Sequence, residues 1–343
     1  MNQKLLVSPS PHIHSGDSIE KNMYSVIIAL IPALIASVIF FGWDSLLLTL
    51  IAIVSCVAFE FLIGRFMLGS DGMSVTDGSA IITGLLLGLN LPANLPWWIV
   101  VIGALVAIGL GKMAFGGIGA NIFNPAILGR VFLLVSFPQQ MTTWPRVKEV
   151  MEPLQNAVTT ASANIDGIST ATPLATMKGI ADGNPEFSIE QLSSLRDLFM
   201  GQVGGSLGEV SAIALILGGI FLLVRKVITW EIPVSIIATV FVFAGIMHLV
   251  NPALYVNPLY HILGGGLLLG AIFMATDYST SPMTRSGQIL YGVCIGLLTM
   301  LIRLFGSYPE GMSFAILVMN AFTPMINRFS QPHLFGQVKA AKK

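Results

Sequence analysis

The chain has 343 residues, of which 54% are hydrophobic and only 10% charged, and its mean hydropathy is +0.81. A water-soluble chain carries about 25% charge, so this much apolar surface must face lipid, which excludes a soluble enzyme. Lys plus Arg equals Asp plus Glu at 17 each, which removes the basic surface that binding to a polynucleotide backbone requires.

The first 22 residues are polar, and no small-residue cleavage signal follows the first apolar run, so the first helix is expected to stay in the mature protein. A helix needs about 20 apolar residues to cross about 30 Å of hydrocarbon. On that scale the sequence predicts an all-α polytopic membrane protein of about ten transmembrane helices. The spans are 24–41, 46–68, 77–91, 97–112, 123–137, 211–227, 232–250, 259–276, 289–305 and 311–326. The third, fifth and tenth are short, and are expected to be tilted, broken or re-entrant.

Lys4, Lys21, Arg65, Lys112, Arg225, Lys226, Arg285, Arg328 and the tail lysines Lys339, Lys342 and Lys343 then fall on one side. The positive-inside rule places that side, with both termini, in the cytoplasm. The expected divisions are a cytoplasmic N-terminal segment (1–22), a first transmembrane half (23–137), an extracytoplasmic loop (138–208), a second half (209–327) and a cytoplasmic tail (328–343). An odd number of spans in each half, about five, gives the halves opposite orientations, the pattern of two inverted five-helix repeats.

Chemistry-bearing residues are sparse. In the first half Asn124-Pro125-Ala126 follows a glycine-rich stretch, which suits either a broken helix lining a cofactor or ion path or close helix packing. Asn251-Pro252-Ala253 repeats the tripeptide in an outer turn, which argues against a water channel built from paired half-helices. Glu60 is the deepest carboxylate, either on an ion path or in a structural pairing or snorkelling role, with Arg65 near enough to draw it toward the cytoplasmic surface. Asp77 and Asp277 sit beside Ser, Thr and Gly, where helix capping competes with an ion-path role. His248, His261, Cys56 and Cys294 lack ligand spacing and read as structural. In the long loop, Ser169, Thr170, Thr172 and Thr176 crowd hydroxyls into one stretch, by composition an ordinary turn with a helix cap.

A resemblance gives these residues roles. Ser8 to His14, the glycine-rich stretch through Asn124-Pro125-Ala126, Ser136 to Thr142, Ser169 to Leu174 and Ala275 to Thr284 together resemble the NqrB/RnfD family of flavin-carrying membrane subunits, over nearly the whole chain and closer to its RnfD branch in length. In that family the last threonine of a Ser-x-Ala-Thr motif forms a phosphoester with FMN. The resemblance therefore implies covalent FMN on Thr172 of Ser169-Thr170-Ala171-Thr172, with Thr170 as a second hydroxyl where the related pattern has glycine.

It also implies a non-covalent riboflavin between helices, with Glu60, Asn124 and Asp277 as candidates for that pocket or for an ion path. The implied setting is the cytoplasmic (inner) membrane, in a complex with RnfA, RnfB, RnfC, RnfE and RnfG. Such a complex couples electron transfer between ferredoxin and NAD to sodium or proton export. The alternatives are a stand-alone secondary transporter or channel with an inverted-repeat fold, and a structural membrane anchor for redox partners.

Overall fold

The computed structural model describes residues 18–67, 77–145, 172–185, 187–209 and 211–331. Ser8 to His14, the tail lysines and Ser169, Thr170 and Ala171 lie outside the described residues. The described part is all-α.

Its first half holds α1 (Ile19–Phe41), α2 (Trp43–Phe66), α3 (Ser79–Leu89), α4 (Trp97–Gly109) and α5 (Pro125–Ser136). A 3-10 turn (Met113–Phe115) follows α4. Short helices α6 (Pro138–Met141), α7 (Pro173–Ala181) and α8 (Leu195–Met200) belong to the connecting segment. The second half holds α9 (Ala212–Val224), α10 (Glu231–Val250), α11 (Pro258–Leu263), α12 (Leu267–Leu269), α13 (Arg285–Phe305) and α14 (Met312–Phe329).

Among the described residues five stretches are long and apolar enough to cross a membrane: α1, α2, Trp97–Phe115, α10 and α13. The protein is therefore a multi-pass membrane protein. Large apolar side chains such as Ile28, Ile31, Ile35 and Ile39 on α1 remain exposed, as a lipid-facing helix requires. Buried hydroxyls on the same helices bond to their own backbone: Ser37 Oγ donates to Leu34 O at 2.8 Å and Thr49 Oγ1 to Ser45 O at 2.8 Å. That local bonding removes the cost of placing a polar group among apolar neighbours.

The short elements differ in part from expectation. α3 and α5 are short, with 11 and 12 residues, and α9 has 13, so they extend about 16, 18 and 20 Å. The tenth predicted span is not short, because α14 runs unbroken through 18 residues. The break lies in the eighth span, where α11 stops, Gly264 to Gly266 intervene, and α12 leads directly into a π-helical turn, Gly270–Met274. Gly265 has φ +71°, a left-handed conformation that L side chains resist. The buried Arg303 of α13 covers the exposed carbonyls at the break, donating to His261 O and, at 3.1 Å, to Gly264 O.

Within the first half α2 packs on α3 and α4, and α4 packs on α5. Within the second, α10 packs on α11 and α13, and α13 packs on α14. Across the halves α1 meets α9 and α5 meets α14. The α2–α3 contact is backbone on backbone, since a Cβ on Gly84 would stand 2.5 Å from Ile53 Cα.

The described helices of the connecting segment are anchored. α7 buries Leu174, Met177 and Ile180 together with Val256, and Ser194 and Asp197 form a capping box on α8. Between α10 and α11 the chain turns at Asn251, whose Oδ1 accepts from Ala253 N at 3.2 Å.

Candidate functional site

Two cavities lie at opposite ends of α5. The first, about 210 Å³, is lined by Thr172, Trp144, Tyr308, Arg130, Glu209 and Glu310, with apolar walls from Leu134, Leu174 and Leu263. Thr172 is there because it is the N-cap of α7: its backbone is extended, Pro173 occupies the first helical position, and its Oγ1 accepts from Ala175 N at 3.2 Å. The helix-cap role expected from composition and a place on a cavity wall thus coincide in one hydroxyl.

Arg130 projects from the middle of α5 and is 4% exposed. Nη1 donates to Asn90 Oδ1 and to Ser313 Oγ, both at 2.8 Å, while Nη2 reaches Glu209 at 3.5 Å and contacts Glu310 directly. The guanidinium thereby ties α3, α5, α14 and both loop carboxylates into one network. Burial, and then the neighbouring Glu310 carboxylate, push Glu209 up to about 8 against the pull of Arg130. Burial also acts to raise Glu310, but Arg130 outweighs it and holds that carboxyl below its ordinary value.

The second cavity, about 270 Å³, is lined by Ser79, Thr83, Lys112, Asn121, Asn124 and Asp277 between apolar walls. Asn124 caps α5, its Oδ1 accepting from Ala126 N at 3.1 Å and Ile127 N at 3.3 Å. Its Nδ2 donates across the halves to Met274 O, the end of the π turn, at 3.1 Å. Asn121 also crosses the halves by hydrogen bonding Asp277. Asp277 accepts from Ser279 Oγ at 2.9 Å and Thr280 Oγ1 at 3.2 Å. Burial still raises its carboxyl above the ordinary value, despite these hydrogen bonds.

Glu60 makes a structural pair, with a partner other than Arg65. It does not turn toward Arg65, which is exposed. It is wholly buried and accepts two hydrogen bonds from Lys112 Nζ, at 2.6 and 2.7 Å. Lys112, placed by hydropathy among the surface loop charges, is buried too, because burying Glu60 without a cation would leave an uncompensated charge. Lys112 Nζ also donates to Ser79 Oγ at 2.5 Å, and Ser79 donates from both N and Oγ to Asp77 Oδ1. Asp77 thus acts at the start of α3, as the capping alternative expected.

The structure brings Asn124 and Asp277 to one cavity, and Glu60 reaches that cavity only through Lys112. Sequence reasoning does not single out Arg130, Arg303 or Glu310. The signal is present for Arg130, at the centre of a predicted span, and weaker for Arg303, two residues from the end of another; an ionisable group inside a span marks a functional position by default. His248 Nδ1 pairs with Tyr255 O at 2.6 Å. Cys56 is buried, Cys294 is half-buried and both are free thiols. Among the described residues no three His, Cys, Asp or Glu side chains group as a metal site.

These features define a multi-pass all-α membrane protein with a broken helix in its second half and a polar cavity at each end of a short central helix. A family model described as the NQR2, RnfD, RnfE family matches residues 6–336. A protein of Acetobacterium woodii, named as a subunit of the Na(+)-translocating ferredoxin:NAD(+) oxidoreductase complex, is 42% identical over 341 residues, covering 99% of this chain and 98% of that protein. A subunit of the proton-translocating ferredoxin:NAD(+) oxidoreductase complex of Clostridium ljungdahlii is 40% identical over 332 residues, 96% of each. In Escherichia coli, a subunit of an ion-translocating oxidoreductase complex is 36% identical over 351 residues, covering 97% of this chain and 99% of that protein. The chain belongs to the NQR2, RnfD, RnfE family.

Proposed function

We propose that this chain is the membrane subunit of an Rnf-type complex in which electron transfer between ferredoxin and NAD drives sodium or proton export, and that it carries FMN esterified to Thr172. The observation that carries the flavin reading is Thr172 itself, a helix-capping hydroxyl on the wall of a cavity that also presents the buried Arg130. The donor set fits the group. Thr172 offers the hydroxyl for the ester, the N-terminus of α7 favours the phosphate charge, and Trp144 and Tyr308 line the same cavity that would take a planar ring. A flavin bound there supplies the electron-carrying chemistry, and the protein supplies placement and environment.

Thr172 Oγ1 keeps its lone pair toward Ala175 N when esterified, so attachment and capping are compatible. Arg130 lies on the wall, charge-balanced by Glu310 and held in place by Asn90 and Ser313. We assign the second cavity to a non-covalent riboflavin, with Asn121, Asn124 and Thr83 offering amide and hydroxyl partners and Lys112 an adjacent charge. Because Glu60 is sealed behind Lys112, that pocket suits these residues better than an open ion path.

The repeated packing order supports two inverted repeats of five spans: α2 with α3 and α4 matches α10 with α11 and α13, while α1–α9 and α5–α14 join equivalent positions. On this reading both termini are cytoplasmic, the Thr172 cavity faces outward, and RnfA, RnfB, RnfC, RnfE and RnfG are the partner subunits. The relatives described above are all named as subunits of oxidoreductase complexes, which favours this reading over a stand-alone transporter. Mass spectrometry of the peptide spanning residues 166–178 tests it: an FMN phosphoester adds a discrete mass on Thr172, and an unmodified peptide from the intact complex refutes it.

A further inference from the structure

The wall of the Thr172 cavity holds one more arrangement, which flavin attachment does not require. The side chains of Arg130, Glu209 and Glu310 are only 5%, 8% and 15% exposed. Beside Arg130 the two carboxyl groups converge on a single point. A Cβ placed on Gly266 would stand 2.7 Å from Glu310 Oε1 and 2.8 Å from Glu209 Oε1, so the absence of a side chain leaves room for both. Glu310 Oε1 is buried with no donor among the described residues, and the Glu209 carboxyl lies within hydrogen-bonding range of Glu310. Two carboxylate acceptors held this close, away from water, repel each other until a proton lies between them.

The surrounding charges come from several elements. α5 contributes Arg130, the α13–α14 turn contributes Tyr308 and Glu310, and α13 contributes Arg303, whose Nη2 would be 3.2 Å from a Cβ on Gly265. On α11, His261 faces Arg303. α3 and α14 present the neutral Asn90 and Ser313. Arg130 is engaged by two carboxylates while needing only one to balance its charge.

We propose that Glu209 and Glu310 share a single proton on the wall of the Thr172 cavity, and that this site loads and unloads as the charge in the cavity changes. The shared proton rests on geometry alone, and its link to electron transfer rests on the flavin reading above. Burial and Glu310 hold Glu209 at about 8, whereas Arg130 holds Glu310 low. Arg130 contacts Glu310 directly and Glu209 only at 3.5 Å, so the proton resides on Glu209 and Glu310 is the ionic partner of Arg130. An electron entering the cavity from a reduced neighbouring subunit adds one negative charge. A proton from water then forms an O–H bond on an ionised Glu209 and restores the net charge, and oxidation releases both. Above about pH 8, where Glu209 is ionised before reduction, uptake reaches one proton per electron; below it the proton is already in place.

The test uses the purified, assembled complex with E209Q and E209D. Infrared spectra recorded across pH follow the carbonyl stretch of a protonated carboxylic acid, and spectroelectrochemistry follows the reduction potential of the covalent flavin. The wild-type complex is expected to lose an acid band as pH rises past about 8, to lack that band in E209Q, and to regain it with a shifted midpoint in E209D. The flavin potential is expected to fall with pH above that midpoint in the wild type and to fall less steeply in E209Q. In-gel flavin fluorescence shows that each variant has assembled. An acid band that titrates unchanged in E209Q, or an identical pH dependence of the potential in both proteins, overturns the proposal. Failure of the flavin reading has a separate signature: the wild-type Thr172 peptide carries no added mass, while the acid band still titrates and is still lost in E209Q.

Discussion

Replacing Lys112 with methionine most directly probes the least accessible ion pair among the described residues. K112M keeps the aliphatic volume but removes both hydrogen bonds to Glu60, at 2.6 and 2.7 Å, and the one to Ser79. Glu60 is fully buried, so no water reaches the carboxylate that is left behind. Breaking a buried pair from one side costs about 3–5 kcal/mol, and at about 1.4 kcal/mol per factor of ten even the lower figure lowers the folded-to-unfolded ratio more than a hundredfold. Removing both charges, in E60Q/K112M, costs only about 1–2 kcal/mol, the scale of lost hydrogen bonds without a stranded charge. Reversible unfolding of wild type, both single variants and the double variant in mixed detergent micelles completes the thermodynamic cycle. The double variant is expected to be more stable than K112M by about 2–4 kcal/mol, and the coupling is larger still because E60Q strands the buried Lys112 in its turn. Equal destabilisation of K112M and E60Q/K112M would falsify the claim that Lys112 exists to hold Glu60 ionised.

Three further outcomes are expected. T172A loses covalent flavin fluorescence in denaturing gels and about 1 kcal/mol of capping energy, whereas T172S retains both; fluorescence persisting in T172A refutes the attachment site. G84A drives a methyl to 2.5 Å from Ile53 Cα, and because backbone cannot rotate aside, a thermal melt should report a loss of about 1–3 kcal/mol, the scale of overpacking; an unchanged melting temperature contradicts the α2–α3 contact. For Asp277 the folded protein binds a proton more readily than the unfolded chain, since burial raises its carboxyl. Its contribution is therefore fully favourable below the unfolded value and is lost as pH rises through the folded one. D277N should stabilise the protein increasingly from acid to alkaline pH, and a benefit confined to acid pH contradicts the sign.

Legibility in the sequence follows the physics of each element. α1, α2, α10 and α13 are readable because long apolar runs have few other solutions in lipid. Asn124 is readable as a helix start because proline at the first helical position needs no N–H donor, but its bond to Met274 O joins positions far apart in the chain and has no local signature. The break in the eighth span is masked by hydropathy, since Gly264 to Gly266 interrupt hydrogen bonding without lowering apolarity. Glu60 stands out among apolar neighbours, yet its partner is hidden: Arg65 is near in sequence, while Lys112 is brought up by the packing of α4 on α2. Thr172 is marked by the motif, but the cavity around it is assembled from five separate stretches, including Trp144 and Tyr308, which no spacing rule connects.

The brevity of α5 has an electrical consequence. Its 12 residues extend about 18 Å, against about 30 Å for the hydrocarbon of a bilayer, and the cavities at its two ends are partly open. The insulating thickness at the centre of the subunit is thus set by one short helix. On the proposed topology, with the cavities open to opposite sides of the membrane, most of a transmembrane voltage falls across that thin partition, so a unit charge passed from one cavity to the other does work close to the full membrane value of about 2.3 kcal/mol per 100 mV. With a flavin in each cavity, as proposed above, a redox relay between them is itself electrogenic, and its rate should respond to an applied potential even before an exported ion is counted.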